Sequence, residues 1–248
     1  MRSKRSQAQV GAGSGIGSQE LPRNKLLATL PDIALRRLSA QADTVSLAFG
    51  QVLYEPGMVK HFVYFPTSAY VSQISSLGGV PRIEVGLVGA EGMVGSSLVF
   101  GIDAAPLLAV VQGGGSALRL AASRFVYELA RGPALRAVMN RYLYVRLSQL
   151  GQMTACTRFH TVNQRLARWL LMTRDRARAD TFFLTHEYMA FMLGVRRVGV
   201  TEAATAMQNR KLIRYTRGQI TILNGRKLEE ASCECYATAE LTYERYMS

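Results

Sequence analysis

The stretch LTHEYMAFMLGVRRVGVTEAATAMQNRKLIRYTRGQITIL, residues 184–223, narrows the fold more than any other part of the chain. Thr185 can accept from a backbone amide and cap a helix over about 186–193, with Glu187 in the favourable first turn. Met189, Met192 and Leu193 give that helix an apolar stripe, and Gly194 suits a left-handed C′ position. Val195 then sits where a plug enters the core. A second helix follows over about 196–209, with Val200, Ala203, Ala204 and Met207 on one face. Helix, glycine turn, apolar plug and helix make a helix-turn-helix. Residues 211–223 then read as two paired strands, with Thr216-Arg217-Gly218 at the turn. Such a hairpin is a wing.

The outer face of the second helix offers Arg196, Arg197, Thr201, Glu202, Thr205 and Gln208. In this motif the start of the second helix enters the major groove of DNA. There Arg can take guanine bidentately and Glu can accept from cytosine N4. Arg214 and Arg217 on the wing are expected near phosphates, which position a protein without reading sequence. The charge distribution agrees. The chain carries +13 at pH 7. Residues 158–228 hold 14 basic and four acidic side chains, whereas residues 229–248 hold one and five. A basic block confined to the motif favours a polyanion partner over general solubility at high pI.

Upstream, the hydrophobic period changes twice. Residues 24–42 read as short helices, with Leu26, Leu27, Leu30, Leu35 and Leu38 at helical spacing. From 45 to 120, β-rich runs alternate with Gly, Pro and Ser, the pattern of an all-β barrel or sandwich. Glu55-Pro56-Gly57 and Leu77-Gly78-Gly79 read as turns. Helix resumes over 123–131, and Pro133 suits the first position of a long helix running to about Cys156. Val138, Tyr142, Val145, Gln149 and Gln152 form a seam on it, and Leu143, Leu147 and Leu150 widen the apolar face. So broad a face needs both the barrel and a second copy of the helix to cover it. A further helix, about 161–178, puts Val162, Leu166, Trp169, Leu170 and Thr173 on one face. Arg165, Arg168, Arg174, Arg176 and Arg178 lie on the other.

Together these motifs resemble the Crp/Fnr family of bacterial transcription regulators over about residues 24–230. HTVNQRLARWLLMTRDR resembles the family's helix leading into the DNA-binding domain. VGAEGMVG within the β-rich region resembles its cyclic-nucleotide-binding roll. The resemblance implies an α+β fold: an N-terminal β jelly roll, cyclic-nucleotide-binding-like, then a long dimerisation helix and a C-terminal winged helix-turn-helix. The expected divisions are a disordered tail (1–23), the sensor domain (24–132), the dimerisation helix (133–158), the DNA-binding domain (159–230) and a C-terminal tail (231–248). The implied partners are double-stranded DNA, a second copy of the chain and RNA polymerase. The implied function is that of a homodimeric, sequence-specific DNA-binding regulator with half-sites about one helical turn apart.

The departures from the family matter as much. Arg196 replaces the usual capping Ser, and Val198 and Glu202 stand at positions that read the best-known operator, so a different operator is expected. Members that bind cAMP use a Gly-Glu-x-Gly turn and an Arg-Ser pair. Here the turn is Gly89-Ala90-Glu91-Gly92, and Ala105-Pro106 fall where the pair would be. Gly89, Glu91 and Gly92 are the candidate ligand residues, but without the arginine cAMP or cGMP is not expected as effector. A roll that senses another small molecule remains the alternative. No cofactor is expected. Cys156, Cys233 and Cys235 are too few for the four-cysteine iron–sulfur sites of redox members. His61, His160 and His186 are scattered along the chain, so no metal site is expected; the Cys233-x-Cys235 pair in the tail is at most a thiol switch. No catalytic residue set emerges, and an enzyme is not expected. GAGSGIG (11–17) lacks the preceding strand and final glycine of a dinucleotide loop. No run of apolar residues is long enough to span a membrane, and the low cysteine count fits a cytoplasmic protein.

Overall fold

The structure is a computed structural model that describes residues 24–78 and 80–248. The tail expected over residues 1–23, with its glycine-rich segment, lies outside the described residues. Two short helices come first: α1 (Lys25–Ala28), capped by the Asn24 side chain, and α2 (Asp32–Ser39). Seven strands follow: β1 (Ala42–Leu47), β2 (Val52–Tyr54), β3 (Phe62–Pro66), β4 (Tyr70–Leu77), β5 (Val80–Val88), β6 (Leu108–Gly113) and β7 (Gly115–Ala121). They form two antiparallel sheets, ordered β1-β7-β3 and β2-β6-β4-β5.

Side chains from the two sheets share a core, with Leu47 and Ala117 on one side and Val71, Val88, Ala109 and Val111 on the other. That is a β roll, as the alternation of short apolar runs and turns predicts. The second face of β3 and β7 is also apolar. Val63, Phe65, Leu118 and Leu120 bury it beneath α1, α2, α3 (Ala122–Arg131) and the start of α4 (Pro133–Phe159).

Helix α4 is the spine, beginning at Pro133 as expected and ending three residues beyond Cys156. The expected seam splits. Val138, Tyr142 and Val145 are buried within this chain, and the Tyr142 hydroxyl accepts from the Met93 amide at 3.1 Å. Leu147, by contrast, is 69% exposed, and Leu150 and Tyr144 are exposed beside it.

The remaining helices and strands build the basic block. Helix α5 (Val162–Ala177) opens with a capping box, Thr161 and Gln164 each satisfying the other's backbone amide. Then come β8 (Thr181–Phe183), α6 (His186–Leu193), α7 (Arg197–Asn209), β9 (Ile213–Thr216) and β10 (Gln219–Ile222). Their core is continuous, from Leu166, Trp169 and Leu170 through Met189, Met192, Val200, Ala203 and Met207 to Ile213 and Ile220.

Two expectations fail here. Arg165 and Arg168, placed on the outer face of α5, are only 7% and 5% exposed. Arg165 is drawn inward because its guanidinium donates to the Leu193 carbonyl, one of the groups left open at the end of α6. Arg168 lies against the Met153 and Met172 thioethers. The second failure is the tail expected over 231–248. After α8 (Gly225–Glu230), that stretch holds the C-cap Ala231 and α9 (Cys235–Met247), which packs along α4. Its aromatic residues carry the packing. Tyr236 donates to Asp175 at 2.7 Å, Tyr243 donates to the Glu91 carbonyl at 2.7 Å, and Tyr246 meets Tyr144 edge to face. The acidic residues between them make this stretch look like a solvated tail in the sequence.

Candidate nucleic-acid interface

Each half of the helix-turn-helix has an identifiable local cause. Thr185 caps α6, accepting from the Tyr188 amide at 3.1 Å, and Gly194 closes it at φ 62° in the left-handed region. A Cβ on Gly194 would lie 3.0 Å from the Ile83 side chain of β5, so this glycine also allows the turn to approach the roll. Val195 is partly buried against the shared core, as the plug must be.

Helix α7 starts with Arg196 at its N-cap, and no side chain there satisfies a first-turn amide. The Gly199 amide donates to the Arg196 carbonyl at 3.0 Å, and the start of the helix, with its positive dipole end, carries no side-chain cap that would compete with an anion. Arg196, Arg197, Thr201, Glu202 and Thr205 are all exposed along this helix. Two of the expected readers are partly engaged already. Thr201 donates to the Arg197 carbonyl at 3.1 Å, and the Gln208 carboxamide oxygen accepts from the Tyr215 amide at 2.9 Å, joining α7 to the wing. A Cβ on Gly199 would meet nothing closer than Val162 at 4.0 Å, so no packing within the chain demands glycine there.

His186 joins this face, and sequence reading missed it. Its ring stacks on Tyr215 with centroids 4.3 Å apart, and its Nδ1 lies 3.0 Å from the Thr201 hydroxyl. That hydroxyl already donates to a carbonyl, which assigns the ring proton to Nδ1 and leaves Nε2 bare. Burial, with Arg197 nearby, holds the imidazole pKa below its ordinary value.

The wing tip has a stricter requirement. Arg217 and Gly218 both have positive φ, 51° and 84°, the signature of a two-residue type I′ hairpin turn. A Cβ on Gly218 would lie 2.7 Å from the Phe183 ring. Arg217 and Arg214 are exposed on this hairpin. The third wing strand, β8, pairs with β10 through Thr181, Phe182 and Phe183; it is too short to carry a legible strand period.

The candidate ligand turn is engaged internally. Burial pushes the Glu91 carboxyl up, but Arg176 and the Gly89 amide outweigh it and hold the pKa below its ordinary value. Arg176 is 2.8 Å away and the Gly89 amide donates at 3.1 Å. Gly92 faces the Tyr142 ring, and Gly89 faces Arg176. A separate cavity of about 560 Å³ lies between the roll and α4, lined by Tyr54, Val94, Leu143, Leu147, Ala105 and Pro106 among others. Gly89, Glu91 and Gly92 do not line it. The two cations at its edge are already hydrogen-bonded, Lys60 to the Asp103 carbonyl and Arg146 to Gln73.

The histidines are not all isolated, contrary to expectation. His160 meets Cys156, Cys233 and Cys235, their four ligand atoms lying within 4.8 Å of one another. The fold closes a separation of more than 70 residues in sequence, which no spacing motif reveals. Among the described residues, no helix is long and apolar enough to cross a membrane.

Comparison with known proteins agrees with this architecture. Residues 164–231 match the Crp-like helix-turn-helix domain family. No curated protein matches the chain in sequence. Among solved structures, a Crp/Fnr-family transcriptional regulator from Eubacterium rectale superposes with a TM-score of 0.68 at 17% identity, covering 85% of this chain and 98% of its own. The c-di-GMP-responsive global regulator of Xanthomonas campestris gives 0.64 at 16% identity, covering 77% and 99%. A Crp-family regulator from Thermus thermophilus gives 0.64 at 16%, covering 76% and 96%. The chain thus carries a Crp-like helix-turn-helix domain, within a fold that it shares with Crp/Fnr transcription regulators from end to end of theirs.

Proposed function

We propose that the protein is a homodimeric transcription regulator that reads DNA through the exposed face of α7 and clamps the flanking backbone with its wing. Three features of the helix-turn-helix and its wing carry this reading. They are the uncapped N-terminus of α7, the exposed Arg196, Arg197 and Glu202, and the Arg217 wing tip. Dimerisation through α4 is supported by Tyr144, Leu147 and Leu150, an exposed apolar run on the longest helix. Arg197→Ala is expected to weaken binding to the cognate site by about 1–3 kcal/mol and to relax specificity. Arg217→Ala should weaken all sequences alike and lower the salt dependence by about one counterion. Mobility shifts on genomic fragments at several salt concentrations check both. If Arg197→Ala binds every fragment as wild type does, this helix does not read bases.

A second reading, that DNA binding is switched by a small molecule, is favoured by the cavity between roll and α4, whose apolar lining suits a small ligand. Ala105 and Pro106 line it where cAMP-binding members carry their Arg-Ser pair, and the Arg146 guanidinium at its edge is already held by Gln73 and Gln149, so a cyclic nucleotide is not the expected occupant. A ligand that binds only the native state raises the melting temperature. Thermal shift across nucleotides and metabolites should therefore yield a hit outside the 3′,5′-cyclic mononucleotides. A panel with no hit removes the effector reading and leaves the DNA-binding one intact.

A further inference from the structure

Helix α4 ends at a cluster of four potential metal ligands. Cys156 sits on its last turns and His160 is its C-cap, one helical turn apart on the same face. Cys233 comes from the link between α8 and α9, and Cys235 is the first residue of α9. All three thiols are buried, and none is in a disulfide.

The distances select the kind of occupant. The Cys156 and Cys233 sulfurs are 3.6 Å apart, and the Cys235 sulfur is 3.6 Å from His160 Nδ1. A tetrahedral zinc ion with ordinary Zn–S and Zn–N bonds requires edges of about 3.8 Å between sulfurs and about 3.6 Å between sulfur and nitrogen. A multi-iron cluster spreads its ligands over separate iron atoms and needs a wider frame than 4.8 Å. A disulfide would need the sulfurs at about 2 Å.

The surroundings support the same occupant. Zinc-bound histidine usually donates its other ring N–H to a carboxylate, which fixes the tautomer and orients the ring. His160 does this: Nδ1 faces the thiols, while Nε2 lies 3.2 Å from the Glu234 carboxylate. Three thiolates and a neutral imidazole around a divalent ion leave a net charge of −1. Arg165 and Arg168, both buried, lie near enough to these thiols to interact electrostatically with them. The Arg168 Nε has no hydrogen-bond partner among the described residues, and its terminal nitrogens meet only thioether sulfurs. An anionic metal centre would offset the charge of both buried guanidinium groups, of which Arg165 is also held by the Leu193 carbonyl.

We propose that Cys156, His160, Cys233 and Cys235 bind one tetrahedral divalent transition-metal ion, zinc by ligand chemistry and geometry. The ion ties the end of α4 to the start of α9, at the junction where α4 gives way to α5 and the DNA-binding domain. It sets that junction whether or not the DNA reading holds.

The test uses the full chain, produced without an affinity-metal step. Elemental analysis of the purified protein should find about one zinc per chain, released stoichiometrically by a mercurial thiol reagent. Replacement by cobalt should give thiolate-to-cobalt charge transfer and the intense visible bands of tetrahedral coordination. Cys233→Ser and Cys235→Ser should each abolish stoichiometric zinc. Because those variants can also misfold, Glu234→Gln is the decisive companion: Glu234 is 75% exposed, so the fold should survive. Its zinc affinity should fall about 10–100-fold in competition with a chromophoric chelator. The proposal is overturned by wild-type protein with less than about one metal per ten chains and only weak octahedral cobalt bands. It is equally overturned by a Cys156–Cys233 disulfide in freshly purified protein, or by wild-type zinc affinity in Glu234→Gln.

Discussion

Trp169→Ala should lower the unfolding free energy by about 3–5 kcal/mol, the cost of emptying a large aromatic site in a packed core. Trp169 is 1% exposed and sits within the core of the helix-turn-helix domain. The substitution also removes a donor, because the indole Nε1 gives its hydrogen to Glu84 of β5 at 2.9 Å. The damage therefore extends across the junction between roll and helix-turn-helix domain. Trp169→Phe separates the two effects. It keeps most of the volume and loses only the hydrogen bond, for an expected cost of about 1–3 kcal/mol. Urea unfolding followed by far-UV circular dichroism measures both. A loss below about 1 kcal/mol for the alanine variant would mean that the site collapses around the missing ring.

Stability should also fall as pH rises from about 4.5 towards 7, because of Glu84 itself. Burial raises its pKa from the ordinary 4.5 to about 7, even though Ser72, Trp169, Arg176 and Arg168 favour the charged form. The hydrogen bonds fit a neutral acid. Its Oε2 lies 2.6 Å from the Ser72 hydroxyl, which is also hydrogen-bonded to the Gln112 carboxamide oxygen. One hydroxyl proton cannot serve both acceptors: either a protonated Glu84 donates to Ser72, or the Gln112 carboxamide turns its amino group, which has no partner among the described residues, onto the hydroxyl. Below about pH 4.5 both folded and unfolded states hold the proton, and the full contribution is present. As pH rises towards 7 the unfolded carboxyl has lost its proton and the folded one has not, so stability declines by about 3 kcal/mol before levelling off. Tyr70 and Tyr188 also face this carboxyl and stay neutral through the window, since their own pKa values are raised by burial and by Glu84.

Trp169 is the sole tryptophan of the chain and reports the titration directly. Its fluorescence should change with a midpoint near 7 in the wild type and stay flat in Glu84→Gln. An unchanged midpoint in that variant would assign the titration to another group.

The reading of the basic block depends on local signals, and those were legible. Thr185, Gly194 and the Val200–Ala203–Ala204–Met207 face each act within one or two helical turns, so spacing alone reveals them. The same holds for Arg217-Gly218, where a type I′ turn needs two positive φ values whatever surrounds it. The roll was legible because strands with one buried face alternate in the chain. The short strand β8 was not, because three residues carry no period. Nor was α9, whose aromatic stripe is interrupted by acidic side chains.

By itself the sequence determined the larger elements and their order, β8 and α9 excepted: a roll of short strands, a spine helix opening at Pro133 and a winged helix-turn-helix. Tertiary structure decided which polar groups are solvated and which are not. Arg165 and Arg168 look like a solvated face on a helical wheel, and become buried only where the end of α6 and the Met153 and Met172 side chains meet them. Glu84, Ser72 and Trp169 look unrelated until β4, β5 and α5 meet. His160 and the three cysteines become neighbours only when α9 folds back on α4. Covalent spacing specifies hydrogen bonds a few residues long, whereas desolvation and metal-ligand geometry depend on which distant surfaces come together.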